Sequence, residues 1–166
     1  MKMARRAFYS FHYRPDHWRA SQVRNMGVIE GNAPVSDNDW EAVTETGDGG
    51  IKKWIDNQLQ GRSCTIVLIG AETAGRKYIN YEIDQSWNSK KGLVGVHIHR
   101  LKDADKMQAT LGGNPFGGFN IKGKALTSIV RTYNPPYADS KDAYDYIKTN
   151  LESWVDEAIS IREQYS

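Results

Sequence analysis

One cysteine in 166 residues leaves no internal disulfide to be made. Cys64 lies inside an apolar run, the setting of a small core residue kept reduced, so a cytoplasmic protein is expected. Long hydrophobic runs are lacking too: no stretch approaches the roughly 20 apolar residues of a membrane span. The basic start Met1-Lys2-Met3-Ala4-Arg5-Arg6 leads into a strand pattern and not into a signal-peptide apolar region, so export is not expected. Charge of one sign is absent. Lys and Arg number 22 against 20 acids, which is not the footprint that binding to nucleic acid demands. Neither Gly-x-Gly-x-x-Gly after the first strand nor a Gly-Lys-Ser/Thr loop occurs, which counts against the dinucleotide-binding Rossmann and P-loop classes.

What is present is the balance of a globular chain: 39% apolar and 25% charged residues, enough for one domain spanning 1–166 with a full core. Five Trp and nine Tyr serve as core fillers or as walls for flat ligands, and composition does not choose between these uses.

Ala7-Phe8-Tyr9-Ser10-Phe11-His12-Tyr13 reads as a first strand, stopped by Arg14-Pro15, with a helix from Asp16 to Met26. Gly27-Val28-Ile29-Glu30-Gly31 is a short second strand or its remnant. Residues 31–50 are polar and Gly-rich and read as a long loop with a turn of helix around Trp40. Ile51, Trp54, Ile55 and Leu59 stand at helical spacing, and Gly61 closes that helix. Cys64 to Gly70 is a third strand whose continuous apolar character suits burial on both faces. A helix over 76–90, a strand over 93–99, a loop over 101–123, a strand over 126–133 and a helix over 141–162 complete the pattern. The alternation predicts an α/β fold: an open parallel five-stranded sheet in the flavodoxin-like order 2-1-3-4-5, with helices on both faces. Ligands of such sheets bind at the carboxyl ends of the strands near the switch point, here around His12 to Pro15, the 31–50 loop and Gly70 to Arg76.

Related functions fail at the strand ends. A phosphoacceptor receiver ends its third strand in Asp, but here the run is Leu68-Ile69-Gly70-Ala71; a flavodoxin has a Ser/Thr/Gly phosphate loop after strand one, also missing. The strongest signal is Arg76-Lys77-Tyr78-Ile79-Asn80-Tyr81-Glu82-Ile83. Ile79, Ile83 and Trp87 form a core stripe, while Tyr78 and Glu82, four apart, share the adjacent face. From spacing alone, a solvated helix acid and a boundary tyrosine are the commoner explanation of that pair, because such pairs recur on helices. Ser10, Phe11 and His12 are candidates to line a pocket or simply to fill the strand, and Trp40 to cover a ligand or anchor the loop. His97-Ile98-His99 puts two imidazoles on one side of a strand, but no Cys or acidic cluster completes a metal-ligand set, so no metal is expected. Gly112 to Gly118 reads as a surface loop, with a moving lid as the alternative.

These runs, with Val23-Arg24-Asn25, Ser63-Cys64-Thr65-Ile66-Val67-Leu68-Ile69-Gly70, Gly95-Val96-His97-Ile98-His99 and Asn114-Pro115-Phe116, resemble the ThsB-like family, the Toll/interleukin-1-receptor (TIR)-like proteins of the Thoeris antiphage defence system. The likeness runs in order from Ala7 to His99 and thins past Leu101. It implies a TIR-like fold and NAD⁺ as substrate, with no separate cofactor. Glu82 takes the place of the catalytic glutamate, and Ser10, Phe11, His12, Trp40 and Tyr78 are the expected substrate-binding residues. Many TIR enzymes have Trp four residues before the glutamate; this chain has Tyr78. The resemblance further implies a cyclic ADP-ribose-type product acting on a separate effector protein, a phage-derived trigger, and self-association. The rival readings are a non-catalytic TIR interaction module and a flavodoxin-like nucleotide binder without turnover.

Overall fold

The computed structural model describes residues 5–31 and 37–165, with 37–40 by their backbone alone. In chain order the elements are β1 (Ala7–Ser10), α1 (Tyr13–Arg24), α2 (Asp37–Glu45), α3 (Gly47–Leu59), β2 (Cys64–Ile69), α4 (Lys77–Asn88), β3 (Gly92–His97), β4 (Asn120–Ile121), β5 (Lys124–Ala125), β6 (Arg131–Tyr133) and α5 (Ser140–Glu163). A single 3₁₀ turn, Leu126–Ser128, precedes β6.

β1, β2, β3 and β6 pair in that order, all parallel, with Ala7 opposite Cys64, Cys64 opposite Gly92 and Val94 opposite Arg131. Alternation sends the strand side chains to opposite faces. Ala7, Tyr9, Cys64, Ile66, Leu68, Val94 and Val96 pack with residues of α1 and α5, including Ala20, Val23, Ile147, Leu151 and Val155. On the other face Val67, Ile69 and Leu93 meet Ile79, Ile83 and Trp87 of α4, and Phe8 meets Ile51, Ile55 and Leu59 of α3. Every residue of β2 and β3 is buried, which explains why those segments read as continuous apolar runs.

Four expectations need correction. The sheet has four strands among the described residues: the expected second strand is reduced to one parallel bridge between Arg6 and Glu30, where the Ala7 amide donates to the Glu30 carbonyl at 2.8 Å. In that segment Ile29 is buried and Val28 partly so, too little apolar surface to hold a ladder. The first strand ends at Ser10 and α1 begins at Tyr13, because Pro15 fits the first helical turn, where its missing N–H is not needed. Within the 31–50 stretch read as loop, α2 and the first turn of α3 are helical, joined where Gly47 takes a φ of +81°, and the helix expected from Ile51 to Leu59 is the rest of α3. Of the 126–133 segment only Arg131–Tyr133 is strand, and 120–125, expected as loop, form a small antiparallel hairpin.

The segment from Leu101 to Phe119 is tied down. Arg19 of α1 donates to the carbonyls of Leu101 at 2.9 Å and Met107 at 2.8 Å, and Phe116 is wholly buried. An ideal Cβ at Gly112 would lie 2.0 Å from the Gly70 carbonyl oxygen, so this loop packs against the end of β2 where only glycine fits.

Candidate active site

β1 and β2 end side by side, and the chain leaves β1 into α1 while α4 starts after the turn that follows β2. The N-termini of α1 and α4 therefore open on one cleft of about 330 Å³. Its walls are Phe11, His12, Tyr13 and Arg14 from the first strand's exit, and Arg76, Lys77, Tyr78, Ile79 and Glu82 from the start of α4. This is the carboxyl end of the parallel strands, where ligands of such sheets bind.

Glu82 dominates the cleft. Its side chain is turned inward, 7% exposed, so the solvated-acid reading is excluded. Burial pushes its carboxyl from 4.5 up to about 8, a rise that Ser10 partly offsets. Ser10 is itself only 1% exposed and stands behind the glutamate rather than on the cleft wall. Neither Glu82 Oε2 nor Ser10 Oγ completes a hydrogen bond of regular geometry, so the hydroxyl acts as a nearby dipole. A carboxyl with a free oxygen, withdrawn from water and bordering a cleft, is an unusual and expensive arrangement.

The backbone beneath it is fixed by a short polar chain. Ser86 Oγ donates to the Glu82 carbonyl at 2.6 Å, and Thr65 on β2 meets Ser86 Oγ at 2.7 Å. At the other end of α4, the Arg162 guanidinium of α5 donates twice to the Trp87 carbonyl, at 2.9 and 3.2 Å, and lies 4.3 Å above the Trp87 ring centroid.

Tyr78 stands at the cleft margin, half-buried, with one side against the α3 cluster. Its hydroxyl donates to Asp48 at 3.1 Å. Lys77 at 2.7 Å and Lys52 at 3.2 Å meet the same carboxylate; Lys77, Lys52 and Tyr78 together hold it down to about 2. Asp48 thus fastens α3 to the start of α4. His12 and Phe11 both line the cleft, and burial, then the charge of Arg76, lowers the His12 pKa and favours the neutral ring. Glu82, Tyr78, Phe11 and His12 are brought together as expected of one site. The Trp40 side chain lies outside the described residues.

Sequence reasoning did not single out Arg14, Arg76 and Lys77. Cations at helix starts oppose the helix dipole, and that misfit was the signal. His97 and His99 are both buried with ring centroids 5.8 Å apart, burial and then His99 lowering His97 to about 4. Among the described residues no group of three or more His, Cys, Asp or Glu is placed to hold a metal ion.

The family model for the TIR-like domain of Thoeris protein ThsB matches residues 8–103, the span that builds β1, the cleft and β3. The chain belongs to that family. A Bacillus cereus (strain MSX-D12) protein named provisionally as the cyclic ADP-D-ribose synthase ThsB1 is 38% identical over 119 residues, covering 69% of this chain. The match spans 62% of that relative's length. Within this TIR-like domain, Glu82 lies on the helix after β2, and no helix of the described residues is long and apolar enough to cross a membrane.

Proposed function

We propose that this Thoeris TIR-like chain cleaves the nicotinamide–ribose bond of NAD⁺ and converts the rest into a cyclic ADP-ribose-type signalling nucleotide. The observation that carries this reading is Glu82: a buried carboxyl with an oxygen left free, bordering an open cleft at the strands' carboxyl ends. A scaffold gains nothing from such a group, since a buried acid without a partner lowers stability. The name of the Bacillus cereus relative supports the same product class.

The chemistry follows from charge. Loss of nicotinamide leaves positive charge on the ribose, as in the oxocarbenium-like state of glycoside hydrolysis. An ionised Glu82 beside the ribose stabilises that charge from a buried position, where the attraction is stronger than in bulk water. Raised to about 8 by burial, the glutamate holds its proton near neutral pH. The cationic nicotinamide ring of NAD⁺, seated beside it, favours the carboxylate, and the proton leaves to solvent. Nicotinamide departs neutral and needs no strong acid. Tyr78 and Phe11 supply faces for flat rings, and neutral His12 offers a hydrogen bond to a ribose hydroxyl. Cyclisation then requires the adenine to reach the ribose before water does.

The reading includes action in the cytoplasm, self-association, a phage-derived trigger and a separate effector that senses the nucleotide. It requires neither a metal nor a separate cofactor. The flavodoxin-like, TIR-like topology belongs to it as well, with the Arg6–Glu30 bridge in the place of a second strand. The test is nicotinamide release from NAD⁺ by the purified chain, alone and with lysate of infected cells, read by chromatography. Release that depends on Glu82 supports the proposal; equal release by Glu82→Gln overturns the catalytic assignment.

A further inference from the structure

Two helices, α1 and α4, start at the same cleft, and neither N-cap residue, His12 or Arg76, makes a side-chain capping bond. α4 has no acid in its first turn, and in α1 the first-turn Asp16 is buried and turned to Arg19 at 3.1 Å. Both helix starts thus present positive dipole ends to one volume. Arginine is the wrong charge for a helix start, yet Arg14 and Arg76 occupy these places and line the cleft. The Arg14 backbone carbonyl meets the His17 ring, and among the described residues its guanidinium makes no ion pair. Arg76 donates from Nε to the Glu72 carbonyl at 3.1 Å and stands 3.7 Å from the exposed Glu72 carboxylate, and its charge acts on His12 across the cleft. Lys77 differs: Asp48 at 2.7 Å already neutralises it. Deeper in the same cleft is the buried Glu82 with its unpaired oxygen, which marks where the ligand's reacting end sits.

We propose that Arg14 and Arg76, with the open start of α4, form a seat for the diphosphate bridge of a dinucleotide whose ribose lies against Glu82; this rests on the NAD⁺ reading above. Arg76 precedes Glu82 by six residues, about 9 Å along a helix axis, so a ligand anchored at one end by its diphosphate reaches the carboxyl with its ribose. Guanidinium groups suit phosphate oxygens because they donate in pairs. The pair are positioning residues: they choose phosphorylated ligands and set the ribose's place, while the bond-breaking falls to Glu82.

The experiment is calorimetric titration of the full chain with ADP and with adenosine, neither of which is cleaved at a nicotinamide bond. The parent is expected to bind ADP at least tenfold more tightly than adenosine. R14Q and R76Q are each expected to lose part of that preference, and the double variant to bring the two affinities within threefold with adenosine binding unchanged. K124Q, a surface change on β5, keeps the full preference. Both arginines are exposed, and thermal melts check that the variants fold. A parent without preference for ADP, or a double variant that retains it, overturns the seat. NAD⁺ cleavage with the same KM in the double variant removes the seat and leaves the enzyme reading intact. ADP preference lost in the double variant, with no nicotinamide released by the parent, keeps the seat and removes the enzyme reading.

Discussion

The hydroxyl of Ser86 donates to the main-chain carbonyl of Glu82 at 2.6 Å, so its other partner, Thr65 Oγ1 at 2.7 Å, is the donor in that second bond. Three buried polar groups are thereby satisfied in sequence between β2 and the middle of α4. The pairing fixes the helix's height on the sheet at the turn that carries the glutamate. Ser86→Ala leaves the Thr65 hydroxyl buried without an acceptor, and should cost about 1–3 kcal/mol of stability. Thr65→Val combined with Ser86→Ala removes both groups and should cost less than the sum of the singles. Denaturant unfolding of the four proteins measures the coupling; strict additivity would show that the two hydroxyls act independently.

Glu82→Gln is expected to abolish nicotinamide release while making the protein more stable at alkaline pH. The folded carboxyl sits at about 8 against 4.5 unfolded, so its contribution to stability is fully present below pH 4.5 and is lost as pH rises through 8. At 1.4 kcal/mol per pKa unit, the loss is on the order of 5 kcal/mol. The neutral amide keeps the shape and escapes this loss. Melting temperatures should diverge between pH 5 and pH 9, with the variant higher at the alkaline end. Parallel curves over that range would mean that Glu82 is not buried as the acid.

The same shift shapes catalysis. Only the carboxylate stabilises a cationic ribose, so kcat/KM should climb about tenfold per pH unit and level off near pH 8. Ser10 favours the charged form, and Ser10→Ala should move the midpoint upward. A profile flat from pH 6 to 9 in both proteins would refute the role given to the ionised glutamate.

The core stripes and both buried strands were legible in the sequence because period and apolar content agreed there. Ile79, Ile83 and Trp87 lie where their spacing of four put them, and Tyr78 and Glu82 share the cleft. The burial of Glu82 was not legible, since the same spacing serves a solvated acid. It follows from the tertiary setting: β1 brings Ser10 behind α4. Helix α2 and the start of α3 were hidden by Gly47, Gly49 and Gly50, whose low helix propensity is overridden once Ile51, Ile55 and Leu59 pack on Phe8. The second strand was read at its right place beside β1, but its pairing stops at Glu30 for want of apolar side chains.

Tyr78 has two functions that substitutions separate. Tyr78→Phe deletes the hydrogen bond to Asp48 and keeps the ring, while Tyr78→Ala deletes both. Lys77 and Lys52 still hold Asp48 in the first variant, so turnover should stay within about threefold of the parent; stacking of about 1 kcal/mol or more is lost in the second, a drop of at least fivefold. Tyr78→Trp should match or exceed the parent. If alanine turns NAD⁺ over at the parental rate, the ring is structural only.

Gly70 follows the last residue of β2, where the Asp16 carboxylate lies against it. An ideal Cβ there would lie 2.1 Å from the Asp16 carboxylate, a clash with a group that is 2% exposed and has nowhere to retreat. Asp16 is also the buried acid that pairs with Arg19 at 3.1 Å, and Arg19 in turn holds the carbonyls of Leu101 and Met107 and stands 3.6 Å from Asp103. Gly70→Ala should therefore do more than shift one side chain: displacing Asp16 takes from the guanidinium its buried charge partner, leaves it only Asp103, and loosens the 101–107 segment. Arg19→Lys should act on the same segment without touching β2, because a single ammonium cannot span both carbonyls and the carboxylate. Both variants should lose about 2–4 kcal/mol, a range set by strain or by a broken buried pair. Both should also be cut by protease between Leu101 and Phe116 before global unfolding. A Gly70→Ala protein that melts with the parent and resists cleavage there would show that Asp16 can move freely, and that the loop does not depend on it.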